Sequence, residues 1–463
     1  MAVLRGEVMS DTIAAIATGM VRSAVGIVRL SGPEAIQCAS AVFRAASGKP
    51  LEECGNRRLV YGDLLDREGR RVDRVLATVS RGPESYTGED TAELQCHGSP
   101  VVLTLALEAL FAQGARQAGP GEFTRRAFLN GKLDLMQAEA VADLIDAETE
   151  AAARVAGGQL SGALSRRVQG VYDALVDVSA HFHAVLDYPD EDIDPFGAET
   201  LDTAMAGAER DLTALLESYR RGRLVAGGVP CAIVGRPNAG KSSLLNALLG
   251  YERAIVTDLP GTTRDTVEES CTLGGQRLRL IDTAGIRETA DAVERIGVER
   301  SRRALEGAEL ALVLMDLTRM PDGEDLDLLR LARARAERVL LVGTKADLPP
   351  AAGEFPAEAV PDVRLSSRTG EGLSDLEAAI AACFPADAAQ ERGELLTNAR
   401  QAEAAGRALE LLRSARSGLS LGMTPDAVLV DVEGAMEALG QLTGRSVRED
   451  VTGRIFERFC VGK

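Results

Sequence analysis

A glycine-rich segment near the middle of the chain carries the residue types that bind phosphate. Residues 235–242 read Gly-Arg-Pro-Asn-Ala-Gly-Lys-Ser and fit the pattern G-x-x-x-x-G-K-S/T at every position. Glycines let backbone N–H groups turn inward around phosphate oxygens, and the helix that follows adds the positive end of its dipole. Lys241 is expected to reach the β and γ phosphates, and the Ser242 hydroxyl to coordinate Mg²⁺. The segment therefore predicts a site for a nucleoside triphosphate with magnesium.

Two more segments are typical of a guanine nucleotide site. Asp282 follows an apolar run and can hold a magnesium-bound water, while the Gly285 N–H can sense the γ phosphate. Residues 344–347 read Thr-Lys-Ala-Asp, and the Asp347 carboxylate can accept N–H bonds from N1 and N2 of guanine, a donor pair that adenine lacks. The usual motif starts with Asn, so Thr344 predicts a somewhat altered affinity with the choice of guanine retained.

Two further segments complete the set in the order expected of a GTPase. Main-chain N–H groups of residues 366–368 would back the base, and Thr263 is the natural second hydroxyl ligand for Mg²⁺. The alternative is a degenerate fold that binds GTP without hydrolysing it, but every phosphate and metal ligand is intact, which favours hydrolysis. The residues predicted to contact GTP are Asn238, Ala239, Gly240, Lys241, Ser242, Ser243, Thr257, Asp258, Leu259, Pro260, Gly261, Thr262, Thr263, Asp282, Thr283, Ala284, Gly285, Thr344, Lys345, Ala346, Asp347, Ser366, Ser367 and Arg368.

The elements around these segments indicate how they are held. Short apolar runs at 231–234, 278–281, 310–315 and 339–342 alternate with helical patterns and end in polar or glycine-rich loops. This alternation predicts a parallel sheet covered on both faces, with the binding segments at the strand ends. We therefore expect a Ras-like P-loop α/β G domain.

The flanking regions have different patterns. Runs at 26–30 and 74–79 look like strands and 103–111 looks like a helix, which predicts an α+β N-terminal domain. The regions on either side of the G domain carry apolar residues at helical spacing and predict one all-α helical domain into which the G domain is inserted. The expected domains are the N-terminal domain at 1–128, the helical domain at 129–226 and 386–463, and the G domain at 227–385.

Charge limits the partners that the chain can bind by itself. The formal net charge is −18, and an acidic surface repels phosphate backbones, which argues against broad electrostatic binding of nucleic acid. Any RNA contact must use a local basic cluster or the surface of a partner. The arginines at 125–126, 166–167 and 220–223 form such clusters, but the simpler interpretation is a solvated helix surface.

Cysteine usage and hydropathy indicate the compartment. Seven cysteines occur without a C-x-x-C pair, which favours reduced thiols over a zinc site or a disulfide framework. No apolar stretch is long enough to span a membrane, and residues 1–19 lack the basic-then-apolar pattern of a signal peptide. We therefore expect a cytoplasmic protein that makes no membrane contact.

The residues of these motifs closely resemble those of one family, the tRNA modification GTPase MnmE (TrmE) family. This family is among the TrmE-Era-EngA-YihA-Septin-like P-loop GTPases. The resemblance covers essentially the whole chain, and its most specific part is the ending Phe-Cys-Val-Gly-Lys at 459–463, against the family's Cys-Ile-Gly-Lys. The other matching stretches are residues 120–123, 128–134, 235–243, 257–265, 282–287 and 294–297.

The resemblance implies how water and charge are handled during hydrolysis. Many switch GTPases have Gln directly after the Asp-x-x-Gly motif to orient the attacking water, but Ile286 stands there. The family instead uses a glutamate that matches Glu294 as the catalytic residue, although the sequence by itself would suggest a solvated helix residue. No arginine finger is needed in the family, because a K⁺ ion offsets the charge on the transferred phosphoryl group when two G domains face each other. The residues that match its K⁺ ligands are Asn238, Thr257, Leu259 and Thr262.

The N-terminal region resembles the family's folate-binding domain, which also forms the constitutive homodimer. Arg29, Glu93, Lys132 and Lys463 match family contacts to 5,10-methylenetetrahydrofolate or its 5-formyl analogue. Without the resemblance each of them would be an ordinary surface or salt-bridge residue. Cys460 matches a cysteine that the family places near the modification centre, and the alternative is a buried core cysteine.

The resemblance finally implies a function in tRNA modification. With the flavoprotein MnmG (GidA), in a heterotetramer or larger complex, the family adds an aminomethyl or carboxymethylaminomethyl group at C5 of the wobble uridine (position 34) of certain tRNAs. The folate supplies the carbon, and GTP hydrolysis drives G-domain dimerisation and a conformational change. A ribosome-assembly GTPase would need a basic flanking domain, and a membrane-remodelling GTPase would need a basic or amphipathic membrane segment. The acidic charge and the absence of such a segment argue against both.

Overall fold

The computed structural model divides the chain into two compact units. It describes residues 11–187, 198–251, 269–281, 302–385, 390, 392–445, 455–456 and 459–462. The first unit consists of Met1–Ile145, Gln159–Thr213 and Glu403–Lys463, and the second of Asp146–Gly158 and Ala214–Ala402.

A seven-stranded sheet forms the centre of the first unit. Its strands are β1 (Ile13–Ile16), β2 (Ser23–Ser31), β3 (Phe43–Ala45), β4 (Val60–Leu65), β5 (Arg71–Ser80), β6 (Thr91–Gly98) and β7 (Arg116–Gln117). They lie in the order β3-β4-β5-β6-β2-β1-β7, and neighbours are antiparallel except for β1 and β7. The strands predicted at 26–30 and 74–79 are confirmed within β2 and β5.

Helices supply the remaining layers of the first unit, and three of those given next lie partly or mostly in the second. They are α1 (Ala35–Ala41), α2 (Pro100–Ala112), α3 (Glu122–Leu129), α4 (Leu135–Ile145), α5 (Glu150–Leu160), α6 (Ala163–Asp187), α7 (Ala198–Gly227), α11 (Ala399–Ser420) and α12 (Pro425–Thr443). The helix predicted at 103–111 is confirmed within α2. The helical spacing predicted for the region before the G domain is also confirmed, because Val171, Leu175 and Val178 are buried along α6, which packs on α12. Among the described residues, no helix combines the length and apolar character needed to cross a membrane.

Successive side chains along the strands of the first unit lie on opposite faces of the sheet and so belong to two different layers. Val28 and Leu30 of β2 are fully buried in the main core, which α1 and α2 cover. Arg29, between them, lies on the opposite face of the sheet, where Phe123 of α3 packs against Ile13 of β1. This second face is only partly covered, and the side chains of Arg29 and Glu93 on it are 22% and 26% exposed.

A six-stranded sheet forms the centre of the second unit. Its strands are β8 (Val229–Gly235), β9 (Glu269–Leu273), β10 (Gln276–Ile281), β11 (Leu310–Asp316), β12 (Arg338–Thr344) and β13 (Val363–Arg364). Its order is β13-β12-β11-β8-β10-β9, and all neighbours are parallel except β9 and β10. The four runs predicted as strands are confirmed as β8, β10, β11 and β12. The helices beside this sheet are α8 (Lys241–Tyr251), α9 (Gly323–Arg335) and α10 (Leu373–Cys383).

The edge strand β9 is a departure from the predicted parallel sheet. It runs antiparallel to β10, to which Gly274 and Gly275 join it in a tight turn. Both glycines have positive φ, 61° and 72°, which a two-residue hairpin requires. The Gly-Gly pair signals this turn in the sequence, but β9 reads Glu-Ser-Cys-Thr-Leu and lacks the apolar run by which a strand is recognised.

Both faces of this sheet are buried, as the sequence predicts. Cys231 and Ile233 of β8 belong to the core on one face, with residues of α8 and α10. Ala232 and Val234 belong to the core on the other face, with residues of α9. Successive residues of β8 thus enter different cores, which explains why this strand is apolar without alternation.

Candidate nucleotide-binding site

The phosphate loop lies between the carboxyl end of β8 and the first turn of α8. β8 ends at Gly235 and α8 begins at Lys241, as the sequence pattern requires. Asn238 and Gly240 adopt the left-handed conformation, with φ of 63° and 94°, and so turn the backbone sharply toward the helix. A Cβ on Gly235 would lie 3.0 Å from Leu314 O, which favours glycine there. The loop thus ends at a helix N-terminus, whose unpaired N–H groups suit a phosphate.

Lys241 lies against the backbone of this loop. Its Nζ donates to Gly235 O at 2.6 Å and to Arg236 O at 2.8 Å. Burial lowers the pKa of the Lys241 ammonium, because a charge removed from water is costly unless it is paired. A phosphate would pair with it. Ser242 and Ser243 are exposed on the same turn of α8, where a hydroxyl can reach a metal ion.

Arg236 ties the phosphate loop to α9, a contact that the sequence did not indicate. Its Nη2 lies 2.6 Å from Glu324 Oε2, and its Nη1 pairs with Asp322. Asp322 caps α9 by accepting hydrogen bonds from the N–H groups of Glu324 and Asp325. The first turn of α9 therefore restrains one side of the loop. Since the motif allows any residue at position 236, the pattern held no signal for this pairing.

The carboxylate predicted to read the base is held by two donors. Asp347 Oδ1 accepts from Ser366 Oγ at 2.6 Å, and Oδ2 accepts from Arg368 Nε at 3.0 Å. The hydrogen bond from Ser366, and then that from Arg368, hold the pKa of Asp347 below its ordinary value. The ionised carboxylate is purely an acceptor, which suits the N–H pair of guanine. The structure thus joins segments 344–347 and 366–368, which were predicted separately.

Asp316 anchors the base-reading segment and was missed by the sequence analysis. It stands at the end of β11, where it pairs with Lys345 Nζ at 2.5 Å and accepts from Thr318 Oγ1 at 2.7 Å. Burial raises the pKa of the Asp316 carboxyl, but the hydrogen bonds from Lys345 and Thr318 outweigh it and lower the pKa. Lys345 has a φ of 61°, a conformation that residues with side chains rarely adopt. The sequence signal for Asp316 was an acidic residue at the end of a predicted strand.

The phosphate loop and the base-reading segment meet at one edge of the sheet. β8 and β12 flank β11, and all three are parallel, so the segments after them stand at the same carboxyl edge. Thr344 Oγ1 donates to Ala239 O at 2.8 Å across the end of β11. The other predicted site residues lie outside the described residues and are Thr257, Asp258, Leu259, Pro260, Gly261, Thr262, Thr263, Asp282, Thr283, Ala284, Gly285, Glu294 and Lys463.

The first unit holds a second cluster, which contains three of the residues compared above with a folate site, Arg29, Glu93 and Lys132. Arg29 Nε donates to Glu93 Oε1 at 2.8 Å on the partly covered face of the sheet. The Arg29 guanidinium lies 5.8 Å from the centroid of the Tyr86 ring, close enough for a cation–π interaction. Lys132 Nζ donates to Pro83 O at 3.0 Å, in the loop that carries Tyr86. Two cations and a carboxylate therefore border this loop, and no sequence motif indicated Tyr86.

The last described residues pair with the N-terminal part of the first unit. Val461 forms an antiparallel bridge with Pro120, and a Cβ on Gly462 would lie 2.4 Å from Ile16 O. Gly462 also has a φ of 102°, so the close approach requires glycine. Cys460 is exposed, so the alternative of a buried core cysteine is wrong. Neighbouring aromatic side chains fill the core instead of the thiol.

One prediction about the basic clusters is also wrong. Arg126, expected on a solvated helix surface, has a side chain that is only 1% exposed. Its guanidinium donates to Asp11 Oδ1 at 2.9 Å, Glu89 Oε2 at 3.1 Å and Glu122 Oε1 at 3.0 Å. Burial raises the pKa of Glu122, but hydrogen bonds, led by that from Arg116, lower it to about 2. The helical pattern could not reveal that acids from distant segments surround this arginine.

Comparison with known proteins finds similarity along the whole chain. A model of the MnmE helical domain matches residues 135–460, and a model of the GTP-binding protein TrmE N-terminus matches residues 12–132. The tRNA modification GTPase MnmE of Alkaliphilus metalliredigens is 42% identical and covers 98% of this chain and 100% of its own. That of Thermus thermophilus is 46% identical and covers 98% and 99%. A crystal structure of Era with MgGDPNP and a 16S ribosomal RNA segment is 26% identical over 39% of this chain and 65% of its own, with a TM-score of 0.26.

Proposed function

This chain belongs to the MnmE (TrmE) family of tRNA modification GTPases, and we propose that it hydrolyses GTP at the shared carboxyl edge of β8, β11 and β12. One observation carries the proposal: a phosphate loop and an ionised acceptor for guanine stand side by side at this edge. Lys241 is the cation for the phosphates, and Asp347 is the acceptor for N1–H and N2–H of the base. Adenine lacks that donor pair and could not form these two hydrogen bonds with the carboxylate.

Hydrolysis at this site depends on charge stabilisation and a positioned water. Lys241 and the N–H groups at the start of α8 bind the β and γ phosphates and offset the negative charge that develops during transfer. Ser242, exposed on the first turn of α8, would hold Mg²⁺ together with Thr263. When bound, this ion supplies Lewis acidity to the phosphate oxygens. Glu294 orients the attacking water, a role left open by Ile286.

A second cation, K⁺, would lie beside the phosphate loop. Asn238 is exposed, and within the described part of the chain its side chain makes no hydrogen bond, so its amide oxygen is available to a cation. Main-chain oxygens of Thr257, Leu259 and Thr262 would complete the set of ligands. A monovalent cation there supplies positive charge to the transferred phosphoryl group, as an arginine finger does elsewhere. G-domain dimerisation encloses this position, and the GTP cycle thereby changes the conformation of the dimer.

The cluster around Arg29 suits a folate. The Glu93 carboxylate can accept N–H bonds from a pteridine ring, and the cations of Arg29 and Lys132 can pair with the carboxylates of the glutamate tail. Lys463 would add a third cation. The ligand is 5,10-methylenetetrahydrofolate or its 5-formyl analogue. When bound, it supplies the one-carbon unit of the modification.

The modification itself requires partners. The chain forms a homodimer through its N-terminal domain and joins the flavoprotein MnmG (GidA) in a heterotetramer or larger cytoplasmic complex. This complex adds the aminomethyl or carboxymethylaminomethyl group at C5 of the wobble uridine of certain tRNAs. The net charge of −18 is consistent with this, because so acidic a chain needs a local basic cluster or the surface of a partner to hold a polyanion.

Phosphate release from GTP tests the hydrolytic part of the proposal. With Mg²⁺ at fixed ionic strength, the full-length chain should turn over faster in K⁺ than in Na⁺, by on the order of 100-fold, the effect of losing one charge-stabilising group. Lys241→Ala is the control and should release little phosphate in either salt. Equal wild-type rates in both salts would refute the proposed K⁺ site. No release from the wild type in either salt would refute the GTPase assignment.

Nucleoside analysis of tRNA tests the cellular part. Deletion of the gene should remove the C5 modification of the wobble uridine, measured by mass spectrometry of digested tRNA. The wild-type gene should restore it, and the Lys241→Ala variant should not. If the C5 modification of the wobble uridine persisted in the deletion strain, the tRNA assignment would be contradicted, but the GTPase assignment would not be affected.

A further inference from the structure

Thr344 stands where the guanine motif usually has Asn, and its contacts define what its hydroxyl can do. The residue is 2% exposed at the carboxyl end of β12. Its Oγ1 lies 2.8 Å from Ala239 O and 3.2 Å from Met315 O, both main-chain acceptors. A hydroxyl has one proton to donate. That proton is therefore engaged within the protein and is not available to a base.

The hydrogen bond to Ala239 supports a strained part of the phosphate loop. Ala239 lies between Asn238 and Gly240, both of which have left-handed backbone conformations. Asn238 adopts this conformation at a conformational cost, since it carries a Cβ. A Cβ on Gly240 would lie 3.6 Å from Thr344 Cβ, so the threonine side chain also borders the last turn of the loop. The bond spans 105 residues of chain and joins the loop to the end of β12.

We infer that Thr344 is a positioning residue that fixes the phosphate loop, and that it does not read the base. The inference rests on the proposed function, since it assumes that GTP occupies this edge of the sheet. The same loop contacts the phosphates of every nucleoside triphosphate. Loss of the hydroxyl should therefore weaken the binding of every nucleoside triphosphate by the same factor, whichever base is attached. Recognition of the base remains with Asp347.

Two substitutions separate the hydroxyl from the shape of the side chain. Thr344→Val keeps the branched shape and removes the donor, and Thr344→Ser keeps the donor and removes a methyl group. GTP and ITP, which lacks the 2-amino group, are compared by competition against labelled GDP with the full-length chain and Mg²⁺. Thr344→Val should weaken both nucleotides about tenfold, the effect of leaving a buried carbonyl unpaired. Thr344→Ser should stay within about twofold of the wild type.

The ratio of the two affinities is the reading that distinguishes positioning from base recognition. Thr344→Val should leave the ITP-to-GTP ratio unchanged, whereas the control Asp347→Asn should alter it. A changed ratio in Thr344→Val, or affinities equal to those of the wild type, would overturn the inference. Should Thr344→Val not fold, Thr344→Ala makes the same comparison. Failure of the wild type to bind GTP would instead refute the proposed function.

Discussion

Replacement of Arg126 by Met would remove a buried cation and leave its acidic partners in place. The arginine side chain is 1% exposed and donates to Asp11, Glu89 and Glu122. Methionine is unbranched and adaptable, so most of the packing is retained and the electrostatic loss dominates. Glu122 would keep its ion pair with Arg116, whereas the structure provides Glu89 with no other ion pair among the described residues. We therefore expect a large but incomplete loss of the stabilisation in this network.

The structure sets the expected size of this loss. Removal of one partner from a buried ion pair typically costs about 3–5 kcal/mol. Asp11 is 43% exposed and largely screened by solvent, so it adds little to this cost. Lowering of the Glu122 pKa from 4.5 to about 2 corresponds to about 3 kcal/mol in favour of the charged form, and Arg126 supplies part of it. The lower end of the range, about 3 kcal/mol, is therefore the expected destabilisation of α3.

Hydrogen–deuterium exchange in the full-length chain measures this destabilisation locally. A loss of about 3 kcal/mol should accelerate exchange in Glu122–Leu129 by on the order of 100-fold. Arg154→Met is the matched control, because it removes an exposed pair with Glu150 whose side chains are 67% and 78% exposed. That change should alter exchange less than about threefold. Acceleration of α3 by less than about fivefold in Arg126→Met would refute the view that the buried network stabilises this unit.

Four further predictions follow from the same geometry or from the proposed roles. Because folding lowers the pKa of Glu122, its stabilisation exists above pH 4.5 and disappears as the pH falls toward 2; urea titration should show a larger loss of stability over this pH range in the wild type than in Glu122→Gln. Asp347→Asn should shift binding from GTP to XTP by on the order of tenfold or more in nucleotide competition, and an unchanged GTP affinity would contradict it. Glu294→Ala should bind GTP normally and release phosphate about 100-fold more slowly. If this variant turned over GTP at the wild-type rate, another residue would have to orient the attacking water. Gly462→Ala should detach the C-terminal residues and speed carboxypeptidase digestion, whereas Gly422→Ala, at a φ of 70° with nothing within 4 Å, should not.

The sequence by itself determined the parts of the nucleotide site that are local in the chain. A strand, a glycine-rich turn and a helix start follow one another within 229–251, so the phosphate loop could be predicted from spacing alone. Asp347 was identified in the same way, from four consecutive residues. The apolar runs of β8, β11 and β12 also predicted which segments would share a sheet edge. β9 was missed, because its polar composition hides a strand whose stability comes from pairing with β10.

Only the tertiary structure decided which distant side chains meet. Nothing near Thr344 in the chain shows that its hydroxyl donates to Ala239, and nothing near Arg126 shows that Glu89 and Asp11 surround it. Hydrogen bonds and buried ion pairs act over about 3 Å, so they depend on where the order of the strands brings separate segments together. The local spacing of residues determines which side chains a segment can bring to a site. The path of the chain determines whether each of them faces a ligand, a partner in the core or water.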